Sequence, residues 1–163
     1  WIILLFTAVQ AATKNFSTET RGRLIYYYTL ASARSVIFAR IIYNSLLMLV
    51  ISLAGYVIYM LLIGDLVQDK PYFMLGILLG SLGFSGILTL MASIAGRTHN
   101  VTLMAILSFP VIIPMLIVLI RFSKNAVDGI AHSVQNPYII GLLSMNLIVL
   151  ALAWVLFPFL WKD

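Results

Sequence analysis

Apolar and polar positions fall in long blocks along this chain, not at the short periods of a half-buried helix or strand. Four uncharged apolar runs, Ile41–Ile63, Tyr72–Ala95, Val101–Ile120 and Tyr138–Leu160, each have 20 to 24 residues and are separated by short polar stretches. At a rise of about 1.5 Å per residue such a run reaches roughly 30–36 Å, enough to cross a hydrocarbon core about 30 Å thick. The pattern predicts an all-α, polytopic transmembrane helical bundle. Trp1–Ala12 is apolar too, with Gln10 its one strongly polar side chain, and it lacks the basic lead of a signal peptide. Its length makes only about 18 Å of helix. It reads as the second half of a span in a chain expected to be longer at its N-terminus, giving four full spans after a partial one.

Composition agrees, with 63% apolar residues, 9% charged residues and a mean hydropathy of +1.08. A soluble domain carries about 25% charged residues, so this chain has too few to coat a soluble surface. No repeat, low-complexity tract or linker divides it, and residues 1–163 read as one domain. The absence of cysteine excludes disulfides, thiolate metal sites and thiol attachment of haem by this chain.

Charge sets the expected orientation. Lys14, Arg21, Arg23, Arg34 and Arg40 fall between the partial span and the first full one, opposed only by Glu19. By the positive-inside rule that side is cytoplasmic. Alternation then puts Gly64–Pro71 and Arg121–Pro137 outside, and Gly96–Asn100 and Trp161–Asp163 inside, so the C-terminus is cytoplasmic. Seven Lys/Arg lie inside against three outside. The net charge of +5 is thus a cytoplasmic anchor set and does not point to nucleic acid.

The basic segment 13–40 is too long for a mere connection. Ser17 is placed to cap a helix beginning at Thr18, with Glu19 in its positive first turn. Leu24, Ile25 and Tyr28 give that helix an apolar side beside Arg21 and Arg23, and Ser32 is placed to cap a second helix carrying Arg34 and Arg40 into the membrane. Two readings fit: an interfacial helix with tyrosines at headgroup depth, or a docking helix with Tyr26, Tyr27 and Tyr28 as contact anchors.

No Asp, Glu, Lys, Arg or His lies within the four runs, which weighs against a proton- or sodium-driven transporter. Asn44, Asn146, Gln10, Ser81, Ser85 and Ser144 are expected to hydrogen-bond between helices. Gly76, Gly80, Gly83 and Gly86 recur along one face and would let a neighbouring helix approach backbone to backbone; a groove for a flat apolar ligand is the alternative. Pro110 and Pro114 predict a kinked third span. Val127, Ile130, Ala131 and Val134 fall at i, i+3, i+4 and i+7, so Asn125–Gln135 reads as a short amphipathic helix on the outer surface. It carries His132, an interfacial histidine and a candidate periplasmic contact for haem or a partner. His99 lies in the inner turn on the opposite face, so the two histidines do not share a metal. The nucleotide-binding, zinc-protease and nucleophile-elbow motifs are absent, which leaves the chain without evident catalytic machinery.

The pieces run half-span, basic amphipathic segment, two tightly turned spans, proline-bearing span, outer amphipathic segment, last span. With the wording Glu19-Thr20-Arg21-Gly22-Arg23-Leu24-Ile25-Tyr26-Tyr27-Tyr28-Thr29-Leu30, Leu79-Gly80-Ser81-Leu82-Gly83-Phe84 and Leu107-Ser108-Phe109-Pro110-Val111-Ile112-Ile113-Pro114, the chain resembles the haem exporter B family. Those proteins are ABC-type permease subunits of the cytochrome c maturation complex, and the likeness extends over essentially the whole chain. It implies an ABC-2-like permease of the bacterial inner membrane, itself non-catalytic, with the first span and half of the second missing here. A cytoplasmic ATPase subunit would dock on Glu19, Arg21, Arg23, Leu24, Tyr26, Tyr27 and Tyr28. A haem-handling membrane subunit and a periplasmic haem chaperone would be further partners, with haem the handled species and not a bound cofactor. Relatives often have proline soon after the docking segment, where this chain reads Ala31-Ser32-Ala33. An ABC exporter of lipid or drug and a non-transporting membrane scaffold are the alternative readings.

Overall fold

The computed structural model describes residues 1–17, 33–95 and 101–162, which form helices α1 (Ile2–Ser17), α2 (Ala33–Ile63), α3 (Lys70–Ala95), α4 (Val101–Val127) and α5 (His132–Lys162) with no strand among them. Helices α2 to α5 are each long and apolar enough to cross a membrane. They outrun the apolar runs because an apolar run measures the hydrocarbon crossing, whereas backbone hydrogen bonding continues into the polar interface. Ser17 is the last residue of α1, and the helix expected to begin at Thr18 lies outside the described residues. Helix α2 starts at Ala33, immediately after Ser32, so the basic lead-in and the span are one continuous rod.

The amphipathic helix expected at Asn125–Gln135 does not form. Helix α4 continues through Val127, the chain turns at Asp128 and Gly129, and α5 has begun by His132. Gly129 sits at φ +66°, and the Ile130 N–H donates to the Asn125 carbonyl at 3.0 Å, the six-residue closure of a Schellman cap. The apolar spacing that suggested one helix belongs to the end of one rod and the start of the next. Gly64, at φ +97°, ends α2 in the simpler way, its N–H donating to the Met60 carbonyl at 3.0 Å.

Helix α3 is the hub. In its apolar window 72% of residues are buried, against 17% for α2, 33% for α4 and 22% for α5. It touches all four other helices. It runs antiparallel to α2, where Asn44 meets Thr89 and Tyr56 meets Phe73, and antiparallel to α4, where Gly76 meets Phe122 and Gly83 meets Met115. Its course is parallel to α5, with Asn146 against Leu79 and Val149 against Gly86.

The rim of the bundle is apolar: Ile42, Leu46, Val50 and Leu61 of α2, Ile113 and Ile117 of α4, and Ile140, Leu147 and Ile148 of α5 are all exposed. Its interior holds Ser81, Ser85, Thr89, Ser108 and Asn146. A continuous apolar exterior over a partly polar core is the inverse of a water-soluble surface, and lipid is the solvent that matches it. The structure and the sequence agree on a multi-pass membrane protein.

Candidate functional site

Two regions gather the residues that sequence reasoning singled out. The first is the seam of α3. All four glycines of the stripe are buried, and side chains of α4 and α5 together with Trp1 occupy the space that their missing Cβ atoms leave. An ideal Cβ at Gly76 would lie 3.1 Å from the Phe122 ring, one at Gly80 would lie 2.7 Å from Leu119 Cδ2 and 3.1 Å from the Trp1 ring, and one at Gly86 would lie 3.1 Å from Val149. At Gly83 it would overlap the end of the Met115 side chain. Phe122, Leu119 and Met115 recur on one face of α4 and interlock with glycines on one face of α3, the small-residue packing that membrane helices use to approach closely. The seam is filled by this chain's own side chains and is not an open groove.

Polar groups lock the seam on both flanks. Asn44 Nδ2 donates to Thr89 Oγ1 at 3.0 Å and Ser85 Oγ donates to the Ile41 carbonyl at 2.9 Å, tying α2 to α3. Asn146 Nδ2 donates to the Leu79 carbonyl at 3.2 Å and to the Leu142 carbonyl of its own helix at 2.8 Å. Each interhelical bond of this kind is worth about 0.6 kcal/mol, rarely above roughly 1.7. Ser81 and Ser144, expected between helices, instead donate to Ile77 and Ile140 one turn back, because a serine hydroxyl reaches its own i−4 carbonyl more easily than a neighbouring rod. Gln10 is exposed on α1. Trp1 Nε1 donates to Ser123 Oγ at 2.9 Å, which holds the indole over Gly80.

The second region is the junction of the α2–α3 and α4–α5 connections. Asp69 precedes Lys70 and Pro71, and its Oδ1 accepts the Tyr72 N–H at 3.5 Å in the N-cap position of α3. Its other oxygen, Oδ2, meets His132 Nε2 at 2.8 Å, and the imidazole stacks on the Tyr72 ring with centroids 4.3 Å apart. The backbone N–H groups of Gln68 and Asp69 donate to the Val127 and Ala126 carbonyls, which satisfies the end of α4. Gln68, Asp69, Gly129, Ile130, Ala131 and His132 line an open depression of about 410 Å³. Among the described residues no group of three His, Asp or Glu could hold a metal ion. Lys70 pairs with Asp65 at the exposed rim, a contact of small energetic weight.

Helix α4 continues through Pro110 and Pro114, both of which are exposed, while Ile112, Met115 and Leu119 on the other side are buried. Glu19, Arg21, Arg23, Leu24, Tyr26, Tyr27, Tyr28 and His99 lie outside the described residues. Sequence reasoning passed over Trp1, Asp69, Tyr72, Met115, Phe122 and Ser123. Of these only Asp69 carried a local signal, an acidic N-cap before a first-turn proline; the others are placed by contacts between distant segments. Comparison with known protein families, curated proteins and solved structures finds no match to the chain.

Proposed function

We propose that the chain is the ABC-2-like membrane permease subunit of an ATP-driven complex that delivers haem, or releases its chaperone, in cytochrome c maturation. What carries the reading is the order of pieces, a basic segment followed by four apolar rods with two prolines in the third, combined with the wording of Glu19–Leu30 and Leu107–Pro114. The spans offer no Asp, Glu, Lys, Arg or His within their uncharged runs for ion coupling, so work has to arrive through contact with a separate ATPase on the basic face. That face is cytoplasmic by the positive-inside rule, in the inner membrane of a bacterium.

Arg21→Glu combined with Tyr27→Ala tests the docking assignment, since loss of a central interface anchor commonly costs about 2 kcal/mol or more of binding. Membranes carrying the double variant should release the ATPase and lose c-type cytochromes in a haem stain, with the spans still inserted. Retained ATPase and normal maturation would reduce segment 13–40 to an interfacial anchor. The filled glycine seam favours one other reading, a scaffold that assembles its partners without carrying a ligand. ATPase activity of the reconstituted complex separates the readings: stimulation by the haem chaperone fits the permease, stimulation by lipid fits a lipid exporter, and indifference to this subunit fits the scaffold.

A further inference from the structure

The lipid-facing side of α4 ends in a pattern of charge that no group among the described residues answers. At about 100° per residue, Ile106, Phe109, Ile113, Ile117 and Ile120 fall within a sector of roughly 80°. All five are exposed. Arg121, Lys124 and Asp128 continue that side at the end of the uncharged run, and all three are exposed. The mean direction of the two cations is about 170° around the helix from that of the buried Ser108, Ile112, Met115, Leu119, Phe122 and Ala126. They point away from every other rod of the bundle.

Among the described residues neither cation is paired. The other carboxylates at this end are engaged, Asp65 with Lys70 and Asp69 with His132. Asp128 is equally unanswered, although it follows Lys124 by one turn and its N–H closes the helix on the Lys124 carbonyl at 2.9 Å. A carboxylate at the negative end of a helix is electrostatically disfavoured, so Asp128 gains from a cation that comes from outside the helix.

Arg121 stands one residue beyond a run long enough to cross the hydrocarbon, which sets it at phosphate depth, with Lys124 about 4.5 Å and Asp128 about 10.5 Å further toward water. Cations three residues apart on a helix share neighbouring positions about 5–6 Å apart and can grip one phosphate, the guanidinium in bidentate fashion and the ammonium as a point charge. We propose that Arg121, Lys124 and Asp128 bind the headgroup of an ethanolamine phospholipid, the phosphate on the two cations and the primary ammonium on the carboxylate. The order of charges along the helix, positive near the hydrocarbon and negative toward water, is the complement of that headgroup. This site does not depend on the permease reading.

The test is native mass spectrometry of the purified full chain released from micelles doped with equal amounts of two lipids, read as the lipid-bound fraction. Phosphatidylethanolamine should be retained over phosphatidylcholine, whose methylated nitrogen cannot donate hydrogen bonds, and over phosphatidylglycerol, which has no cation. Asp128→Asn should remove the preference for ethanolamine over glycerol, and Arg121→Gln with Lys124→Gln should lower retention of both, on the order of fivefold for each charge removed. Stronger retention of phosphatidylglycerol by the wild type, or an Asp128→Asn profile identical to wild type, overturns the ethanolamine assignment. Unchanged retention in the double variant overturns the site. Should the double variant fail to fold, the wild-type competition and Asp128→Asn decide alone.

Discussion

Replacing Gly80 is the sharpest test of the bundle, because α4 and the Trp1 indole just ahead of α1 close on that position at once. A Cβ there falls 2.7 Å from Leu119 Cδ2 of α4 and 3.1 and 3.2 Å from the indole of Trp1. Leu119 is fully buried, and the indole is held by its hydrogen bond to Ser123 and by an edge contact with Phe84, ring centroids 6.4 Å apart. Neither neighbour retreats freely. Gly80→Ala sets the cost of pushing a side chain off its rotamer, about 0.5–1.5 kcal/mol, against a gain of roughly 1 kcal/mol in helix propensity, and should come out near neutral. Gly80→Leu adds three more carbons with nowhere to go, and overpacking of that kind costs about 1–3 kcal/mol.

The natural control is Gly55, exposed on α2 with nothing within 4 Å of its Cβ position, where Gly55→Leu meets no clash and should be neutral to about 1 kcal/mol stabilising through helix propensity. Gly83→Ala should be milder than its overlap implies, because the obstructing Met115 atoms are the far end of a flexible side chain. Reversible unfolding in mixed micelles, titrated with a denaturing detergent, measures the series. A difference of about 2 kcal/mol between Gly80→Leu and Gly55→Leu is roughly a thirtyfold change in the folding equilibrium. Equal midpoints for those two variants would refute the packing of α3 against α1 and α4.

Two further outcomes follow from the flanks and the junction. Asp69→Ala should cost about 1 kcal/mol by removing the α3 N-cap, whereas Asp69→Asn keeps most of it. In a double-mutant cycle with His132→Ala the coupling should stay below about 1 kcal/mol, because the imidazole is 63% exposed; a coupling twice that size would show a drier contact than the structure has. The chain has no native cysteine, so Asn44→Cys with Thr89→Cys gives a clean cross-linking pair between α2 and α3. Efficient cross-linking in membranes checks the register of the two rods, and failure to react while each single variant is labelled would refute it.

The four crossings were legible because desolvating a charge within hydrocarbon is so unfavourable that the limits of the uncharged runs track the membrane. The ends of the rods were less so. Polar residues such as Lys70, Ser123, Lys124 and Gln135 are helical here, yet nothing in an apolar count rewards them. The misreading at Asn125–Gln135 arose from a periodicity that Val127 and Val134 satisfy by coincidence across a turn, and the Asp128-Gly129 pair was the contrary signal that should have outweighed it. The glycine spacing identified the close-packed face of α3, but not its partners Phe122, Leu119, Met115 and Val149, since a stripe says only that something approaches. The pairing of His132 with Asp69 was unreadable, because it joins two connections that become neighbours only when α3 and α4 pack.

The central position of α3 follows from its side chains. A helix at the middle of five has to present narrow faces to several neighbours, and the glycine stripe together with Ser81, Ser85 and Thr89 supplies both the narrowness and the hydrogen-bonding groups. In lipid no hydrophobic gain drives one apolar rod against another, so close backbone approach and a few polar contacts must do so. The closer shape match is on the α4 side, where large side chains fill the glycine positions; the α2 side combines the hydrogen bonds of Asn44, Thr89, Ser85 and the Ile41 carbonyl with apolar packing of Ile37 and Ile41 on Leu90 and of Tyr56 on Phe73. Neutral hydrogen bonds can exchange partners along a helix face, whereas Phe122 and Leu119 lodged over glycines cannot slide without first separating the rods. Helices α3 and α4 are therefore the pair of rods least able to slide past one another.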